Sequence, residues 1–301
     1  MEEFIVEFLQ DMDGDGAAVY IYLGIIGIMT VSVIGFFLLS WSWILAFIGC
    51  FVGFVVWRHI SIKNEHPRPQ TGRRWISRRA PSIPAPDTSN LPAVYFLYIL
   101  GSGGHTTEML ETIKHKWRPQ ANSHRRYLVS KGDSDSLRRV LDLELLIHDA
   151  CQNGLAGTLD TFSIPRARRV HQPLWTAPFS CLNTAIHAVN ALTREPEARP
   201  QSRHGAQFKY PHVVVTNGPA TGFVVCLVAH LLKIFYVVPQ TRLKMVYVES
   251  WARSRTLSLT GRLFLWTGIA DMFCVQHEEL ARRVNGAVYV GRIAARLAPP
   301  G

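Results

Sequence analysis

The sequence predicts an α/β protein, a single parallel-sheet domain behind an N-terminal transmembrane region. Three observations carry this. Residues 17–57 contain no Asp, Glu, Lys or Arg. From Ala93 onward, short β-prone apolar runs alternate with helix-patterned segments, the pattern of a parallel α/β sheet. The first run, Val94–Leu100, is apolar or aromatic throughout, as expected of a strand covered on both faces.

Totals narrow the class further. A chain of 301 residues has room for one large or two modest domains plus appendages. Its net charge of +10 is unevenly spread: residues 1–57 hold six acids and no Lys or Arg, so the rest carries all 32 basic residues against 16 acidic ones. A basic body suits anionic partners such as nucleic acid, phosphorylated substrates or an anionic membrane surface. The five cysteines (Cys50, Cys151, Cys181, Cys226, Cys274) are odd in number and lack a C-x-x-C. They read as small buried residues in a reducing compartment, not as a disulfide or zinc framework. No Asn-x-Ser/Thr sequon occurs, consistent with a cytosolic body.

Residues 1–16 form an acidic tail. Asp11-Met12-Asp13-Gly14-Asp15-Gly16 matches the first half of an EF-hand loop, but the twelfth position, which needs a bidentate glutamate, is Tyr22. No calcium site is expected. The membrane anchor spans 17–57, with one span at 17–39 and a possible second or re-entrant segment at 43–57. Ser40–Trp43 suits an interfacial turn, and Ile44–Trp57 is short for a full crossing of about 20 residues. An acidic leading region and an over-long apolar core argue against a cleaved signal peptide. Arg58, Lys63, Arg68, Arg73, Arg74, Arg78 and Arg79 follow at once, so this end is expected to be cytoplasmic. Residues 58–92, rich in Pro and Arg, read as an extended basic tether.

Residues 93–293 form the globular domain, and 294–301 a tail. Within it the leading feature is Gly101-Ser102-Gly103-Gly104-His105-Thr106 directly after the first strand. The glycines permit a tight turn and close approach of a ligand to the backbone. Thr106 or Thr107 is placed to cap the next helix, whose first turn would carry Glu108. A helix N-terminus here suits a phosphate or diphosphate, and His105 at its mouth can take a proton near neutral pH. A plain βα turn with a surface histidine is the competing reading. The run is neither a dinucleotide fingerprint, since Thr106 stands where glycine is required, nor a Walker loop.

Further along, Arg126–Ser130 reads as a short strand, Ser134–His148 as a helix bearing Arg138 and Arg139, and Thr158–Ile164 as a strand. Arg166, Arg168, Arg169 and His171 then make either a phosphate-facing cluster or a solvated loop. Leu174–Leu192 reads as an amphipathic helix, followed by an insertion-like loop over Thr193–Lys209. The strand His212–Thr216 ends in Asn217-Gly218-Pro219, with Thr221 just before the following helix, Phe223–Leu232. This places Asn217, Gly218 and Thr221 where open α/β sheets bind ligands. Lys244–Ser250 forms the next strand, with Glu249 and Ser250 at its carboxyl end. Glu249 is positioned to orient a sugar hydroxyl or act as a base, or else to pair with Arg253 or Arg255. A helix at Ser258–Gly268, a strand at Ala270–Gln276, a helix at Glu278–Val284 and a strand at Ala287–Val290 complete the chain.

Taken in order, the glycine turn, Asn217-Gly218-Pro219, Tyr247-Val248-Glu249-Ser250, Thr256–Gly261, Asp271–Gln276 and Val288–Arg292 point to a family. The chain resembles the membrane-anchoring subunit of the eukaryotic transferase that adds the second N-acetylglucosamine to dolichyl-diphosphate-GlcNAc, over roughly Val94 to Ile293. The glycine turn also resembles, more distantly, that of the bacterial lipid-linked GlcNAc transferase of peptidoglycan synthesis. The resemblance implies one Rossmann-like domain, the acceptor-side, N-terminal half of a split GT-B glycosyltransferase. A separate small soluble subunit would bind UDP-GlcNAc, and the chain would be inactive alone.

It further implies an endoplasmic reticulum membrane protein with a cytosolic globular domain, acting in protein N-glycosylation with dolichyl-diphosphate-GlcNAc as acceptor, without nucleic acid, cofactor or metal. By position, Gly101, Ser102, Gly103, Gly104 and Thr106 would hold the acceptor diphosphate. His105 would polarise or deprotonate the acceptor hydroxyl, with Glu249 as runner-up or helper. Asn217, Gly218, Thr221 and Ser250 would line the acceptor pocket. Departures from the family pattern are mostly terminal: a longer apolar N-terminus and extra residues to Gly301, at the edge where family members dock the partner. The alternatives are a self-sufficient α/β nucleotide-sugar enzyme and a pure membrane scaffold.

Overall fold

The computed structural model describes residues 16–38, 41–64, 93–151, 155–168, 172–173, 175–218 and 220–291. The acidic tail with its Asp11–Asp15 run, the tether over 65–92, Arg169, His171, Pro219 and the C-terminal tail lie outside the described residues.

Seven parallel strands form one sheet in the order β3-β2-β1-β4-β5-β6-β7. They are β1 (Val94–Ile99), β2 (Ser123–Ser130), β3 (Thr158–Ile164), β4 (Val213–Thr216), β5 (Lys244–Val248), β6 (Met272–Val275) and β7 (Ala287–Tyr289). Two N-terminal helices, α1 (Gly16–Leu38) and α2 (Trp41–Asn64), precede the sheet. The body adds α3 (Gly104–Lys116), α4 (Ser134–Ala150), α5 (Ala177–Thr193), α6 (Ala220–Ile234), α7 (Leu259–Thr267) and α8 (Glu278–Arg283). A short 3-10 turn, Gly205–Gln207, sits in the long loop before β4.

Parallel strands need crossover helices, and right-handed crossovers distribute those helices over the two faces. One face is sealed by Met109, Leu110 and Ile113 of α3 with Val140, Leu143 and Ile147 of α4, packed on Tyr127 and Val129. The other is sealed by Ala188, Ala191 and Leu192 of α5, Val225 and Ala229 of α6 and Phe264 of α7, against residues such as Leu97, Leu128 and Met245. The winding reverses between β1 and β4, which pair directly, with Ile99 beside Thr216. That reversal opens a crevice at the carboxyl ends of these two strands.

Strand β2 departs from the expected Arg126–Ser130. It begins three residues earlier, and every one of its residues is buried. Alternation along the strand sends Arg125 and Arg126 to opposite faces. Arg125 donates from Nε and Nη2 to the two carboxylate oxygens of Glu144 on α4, at 2.7 and 2.6 Å. Arg126 makes the same two-pronged pair with Asp160 on β3, at 2.8 and 2.6 Å, and also donates to the carbonyls of Ala191 and Arg194 at the end of α5. Fork-to-fork pairs of this kind make two buried cations tolerable in a central strand.

The second N-terminal helix is also longer than the expected Ile44–Trp57 segment. Arg58 does not end it, because its guanidinium donates to the carbonyls of Lys233 and Ile234 (3.0 and 3.2 Å) and lies 3.8 Å from the Tyr236 ring. These carbonyls close α6, where the helix dipole favours a cation. Among the described residues, Trp43–Asn64 is long and apolar enough to cross a membrane, and Tyr22–Phe36 is a shorter apolar stretch.

Candidate functional site

The site is built around the end of β1. Leu100 still donates its N–H to the Leu128 carbonyl at 2.9 Å, so the chain leaves the sheet only at Gly101. Gly103 then takes φ 60°, ψ −121°, a conformation open only to glycine, and α3 starts at the next residue. Ser102, Gly103 and Gly104 are exposed. Gly103 is the N-cap and has no side chain to satisfy the first-turn N–H groups, which remain available to an anion.

The expected threonine cap is absent, because Thr106 and Thr107 lie within the helix. Thr106 is fully buried and bonds back to the Gly101 carbonyl, and its hydroxyl is 2.8 Å from that of Ser136 on α4. It clamps the turn from inside. Exposed Thr107 instead accepts from Arg139 of α4, placing a guanidinium beside the first turn. Arg166 sits 3.5 Å from Asp133, and Arg168 donates to the Gln172 carbonyl at 3.2 Å.

His105 is brought to Asn217 and Gly218 by the β1–β4 pairing. Asn217 is buried and donates from Nδ2 to the His105 carbonyl at 2.7 Å. The imidazole lies over Gly218: a Cβ on that residue would be 3.5 Å from His105 Cε1 and 3.8 Å from Nδ1. Gly218 itself has φ +121°, again outside the range of ordinary side chains. Two buried polar atoms here, His105 Nδ1 and Asn217 Oδ1, have no hydrogen-bond partner among the described residues. Buried polar groups are normally paired, so an unpaired imidazole nitrogen and amide oxygen at a crevice mark a place for ligand polar groups.

The other sequence-predicted residues stand further back. Thr221 turns its hydroxyl to the loop after β3, accepting the Ala167 N–H at 3.1 Å. Glu249 is 1% exposed and its carboxylate is already occupied. Oε1 accepts from the Ser250 N–H and the Tyr247 hydroxyl (both 3.2 Å), and Oε2 from the N–H and hydroxyl of Ser258 (3.1 and 3.2 Å). Burial and the Glu249 charge push the Tyr247 phenol far above its usual range, which keeps it a donor. The close fit extends to Gly261, where a Cβ would fall 2.1 Å from Glu249 Oε2. Ser250 lends its carbonyl to the Arg253 N–H at 3.0 Å.

A residue of greater consequence than expected is Glu108. It lies one turn further into α3 than predicted and is buried. Its Oε1 accepts the Trp251 N–H at 2.7 Å and the Gln276 side-chain amide, and Gln276 also donates to the Glu249 carbonyl at 3.1 Å. Glu108 thereby ties the glycine-turn helix to the loops after β5 and β6. Its spacing from His105 in the sequence gives no hint of partners as far along the chain as Trp251 and Gln276. Among the described residues, no group of three or more His, Cys, Asp or Glu is placed to hold a metal.

Fold and crevice together define the class, a single Rossmann-type domain with a glycine turn and an imidazole at its switch point. Residues 96–293 match the family described as "Oligosaccharide biosynthesis protein Alg14 like". The chain belongs to this family. Similar proteins named UDP-N-acetylglucosamine transferase subunit ALG14 include that of Yarrowia lipolytica, 36% identical over 195 residues (65% of this chain, 79% of that protein). The Schizosaccharomyces pombe protein is 31% identical over 201 residues (66% and 83%), and the Homo sapiens protein 28% over 221 (73% and 90%). Among solved structures, Acinetobacter baumannii MurG overlaps with a TM-score of 0.35 at 16% identity, covering 62% of this chain and 41% of that one, too slight a likeness to weigh.

Proposed function

We propose that the chain is the membrane-held, acceptor-side subunit of an N-acetylglucosaminyltransferase that adds the second GlcNAc to dolichyl-diphosphate-GlcNAc. In this reading it forms half of a split GT-B enzyme. It recruits a small soluble UDP-GlcNAc-binding subunit to the cytosolic face of the endoplasmic reticulum and is inactive without it. Family membership supports the reaction class, and the presence of one Rossmann-type domain supports the need for a second chain.

The observation that carries the site assignment is the unpaired His105 Nδ1 beside the uncapped glycine turn. The turn and first-turn N–H groups of α3 bind the acceptor diphosphate, with Arg139 adding positive charge. His105 accepts the proton of the attacking sugar hydroxyl. The hydroxyl oxygen bonds to the anomeric carbon of UDP-GlcNAc, while the bond to UDP breaks and UDP leaves with its electron pair, inverting that carbon. Asn217 fixes the backbone at His105. Glu249, its four lone-pair positions filled, acts as a brace for the loop after β5, and its candidacy as base is correspondingly secondary.

The direct test is GlcNAc transfer from UDP-GlcNAc to phytanyl-diphosphate-GlcNAc in membranes. Transfer is expected only when both chains are present, and transfer by this chain alone would overturn the split-enzyme reading. A second expectation concerns Gly218→Ala. Its added methyl sits against the imidazole at a φ that costs about 1–3 kcal/mol. Transfer should fall well beyond any change in expressed protein or melting temperature. Equal losses of both would mean that the position matters only for folding.

A further inference from the structure

The outer surface of α5 and α6 is unlike that of a soluble domain. The seventeen residues of α5 contain no Asp, Glu, Lys or Arg. The fifteen of α6 contain one, Lys233, and it is buried, with Nζ donating to the Leu243 carbonyl at 3.2 Å and lying 3.8 Å from Asp271. What these helices turn outward is Leu182, Leu227 and Leu231, flanked by Trp175 before α5 and by Phe235 and Val237 after α6, all exposed.

An exposed leucine stripe alone is weak evidence, and the opposite side of the sheet shows why. Helix α4 also exposes Leu137, Leu141 and Leu145. There, however, Asp135, Arg138, Arg139, Asp142 and Asp149 are interleaved along the same seventeen residues, as on an ordinary solvated helix. The α5–α6 face has no such charges, so water is a poor solvent for it.

The two N-terminal helices indicate what covers this face. Helix α1 packs on α5, with the Tyr22 hydroxyl 3.4 Å from Asn183 Oδ1, and α2 packs on α6. Phe51 and Phe54 lie with ring centroids 6.2 and 6.3 Å from Phe235, and Arg58 joins the end of α6. The exposed apolar surface of α1 and α2, which includes Ile28 and Leu45, is therefore continuous with the apolar face of the helices on which they pack. From this continuity we infer that the α5–α6 face lies in the membrane interface, its leucines in the acyl-chain boundary. The globular body is thus partly submerged rather than held above the bilayer on a tether. A face of this composition has the apolar side of an interfacial helix pair.

The inference rests on α1 and α2 lying in a bilayer, and the test separates the two ideas. The full chain, with Cys50, Cys151 and Cys181 replaced by serine, would be reconstituted in phosphatidylcholine–phosphatidylinositol nanodiscs. Single nitroxide labels at I28C, L182C, L231C and L141C would be read for collision with oxygen, which concentrates in hydrocarbon, and with a water-soluble nickel chelate. All four native side chains are exposed, so the substitutions leave packing intact. Labels at Leu182 and Leu231 should match Ile28, oxygen-accessible and nickel-protected, while Leu141 reads as aqueous. Aqueous readings at Leu182 and Leu231 with a lipid reading at Ile28 would overturn the inference alone. An aqueous Ile28 would overturn the membrane reading beneath it. Immobilised labels shielded from both reagents would show a protein, not lipid, on this face, and would equally overturn it.

Discussion

Under the proposed function, a His105→Ala chain assembled with a UDP-GlcNAc-binding subunit is expected to lose about 10²–10⁴-fold in GlcNAc transfer, the range for removing a general base. The expectation follows from the way the crevice is built. The Asn217 amide holds the backbone of His105, and Gly218 leaves room for its ring; Nδ1 is left buried without a partner among the described residues. Because the ring lies over a glycine at an open crevice, its removal leaves little cavity, and abundance and membrane association should hold. In the proposed reading the turn holds the diphosphate, so the loss should fall on kcat, with KM for the lipid acceptor nearly unchanged. His105→Gln, which fills space but takes no proton, should be as inactive as alanine. Transfer within a few fold of the parent in either variant would remove His105 from the chemistry and return attention to Glu249.

The second large effect concerns stability. Asp160→Asn should destabilise the domain by about 3–5 kcal/mol, because it leaves the Arg126 guanidinium buried beside a neutral amide. Arg126 is 1% exposed, and its other contacts, carbonyls at and after the end of α5 and the Tyr95 ring, are neutral and cannot replace the lost charge. For a domain of this size, that corresponds to a fall in melting temperature on the order of 10 °C. Thermal unfolding in detergent, followed by circular dichroism, reads it directly, and a shift of only a degree or two would mean that water reaches the pair.

The same pair sets an acid limit. Burial raises the Asp160 carboxyl, but hydrogen bonds and charge from Arg126 and His124 overcome this and hold it well below the usual carboxylate range. A carboxyl depressed in the folded state contributes stability that is complete above its unfolded value, near 4, and is lost as pH falls toward the folded value. Melting temperature should therefore drop below about pH 4 in the parent, and Asp160→Asn should flatten that part of the profile.

How much of the molecule is legible in its sequence differs from residue to residue. The run Val94–Leu100 and the glycines after it carry their own conformational instruction, so the strand and the turn follow from local chemistry, although α3 starts at Gly104, ahead of the threonine cap that the sequence suggests. The same holds for the parallel class of the sheet and for Ser258 and Gly268, which bracket α7 as N-cap and left-handed C-cap. His105 is legible as a candidate for the same reason: it stands at the mouth of a turn that only glycine can make.

Other features depend on partners that the sequence places far away. Arg125 falls outside the strand that the sequence predicts, and Arg126 at its edge, because an unpaired cation has no place in a central strand. Glu144 and Asp160, 19 and 34 residues on, supply the missing counter-charges and let both arginines in. Arg58 reads as the end of a membrane segment, yet the open carbonyls of α6 receive it and the helix runs on. Glu249 reads as a sugar-orienting group, a base, or a partner of Arg253 or Arg255, but Tyr247, Ser250 and Ser258 fill its oxygens. Glu108 reads as a first-turn acid, and Trp251 and Gln276 claim it. Backbone preference and hydrophobic period act over a few residues, and these the chain itself determined. The pairing of a buried charge or an orphaned polar atom is settled only when strands distant in sequence lie side by side, and that the tertiary structure decided.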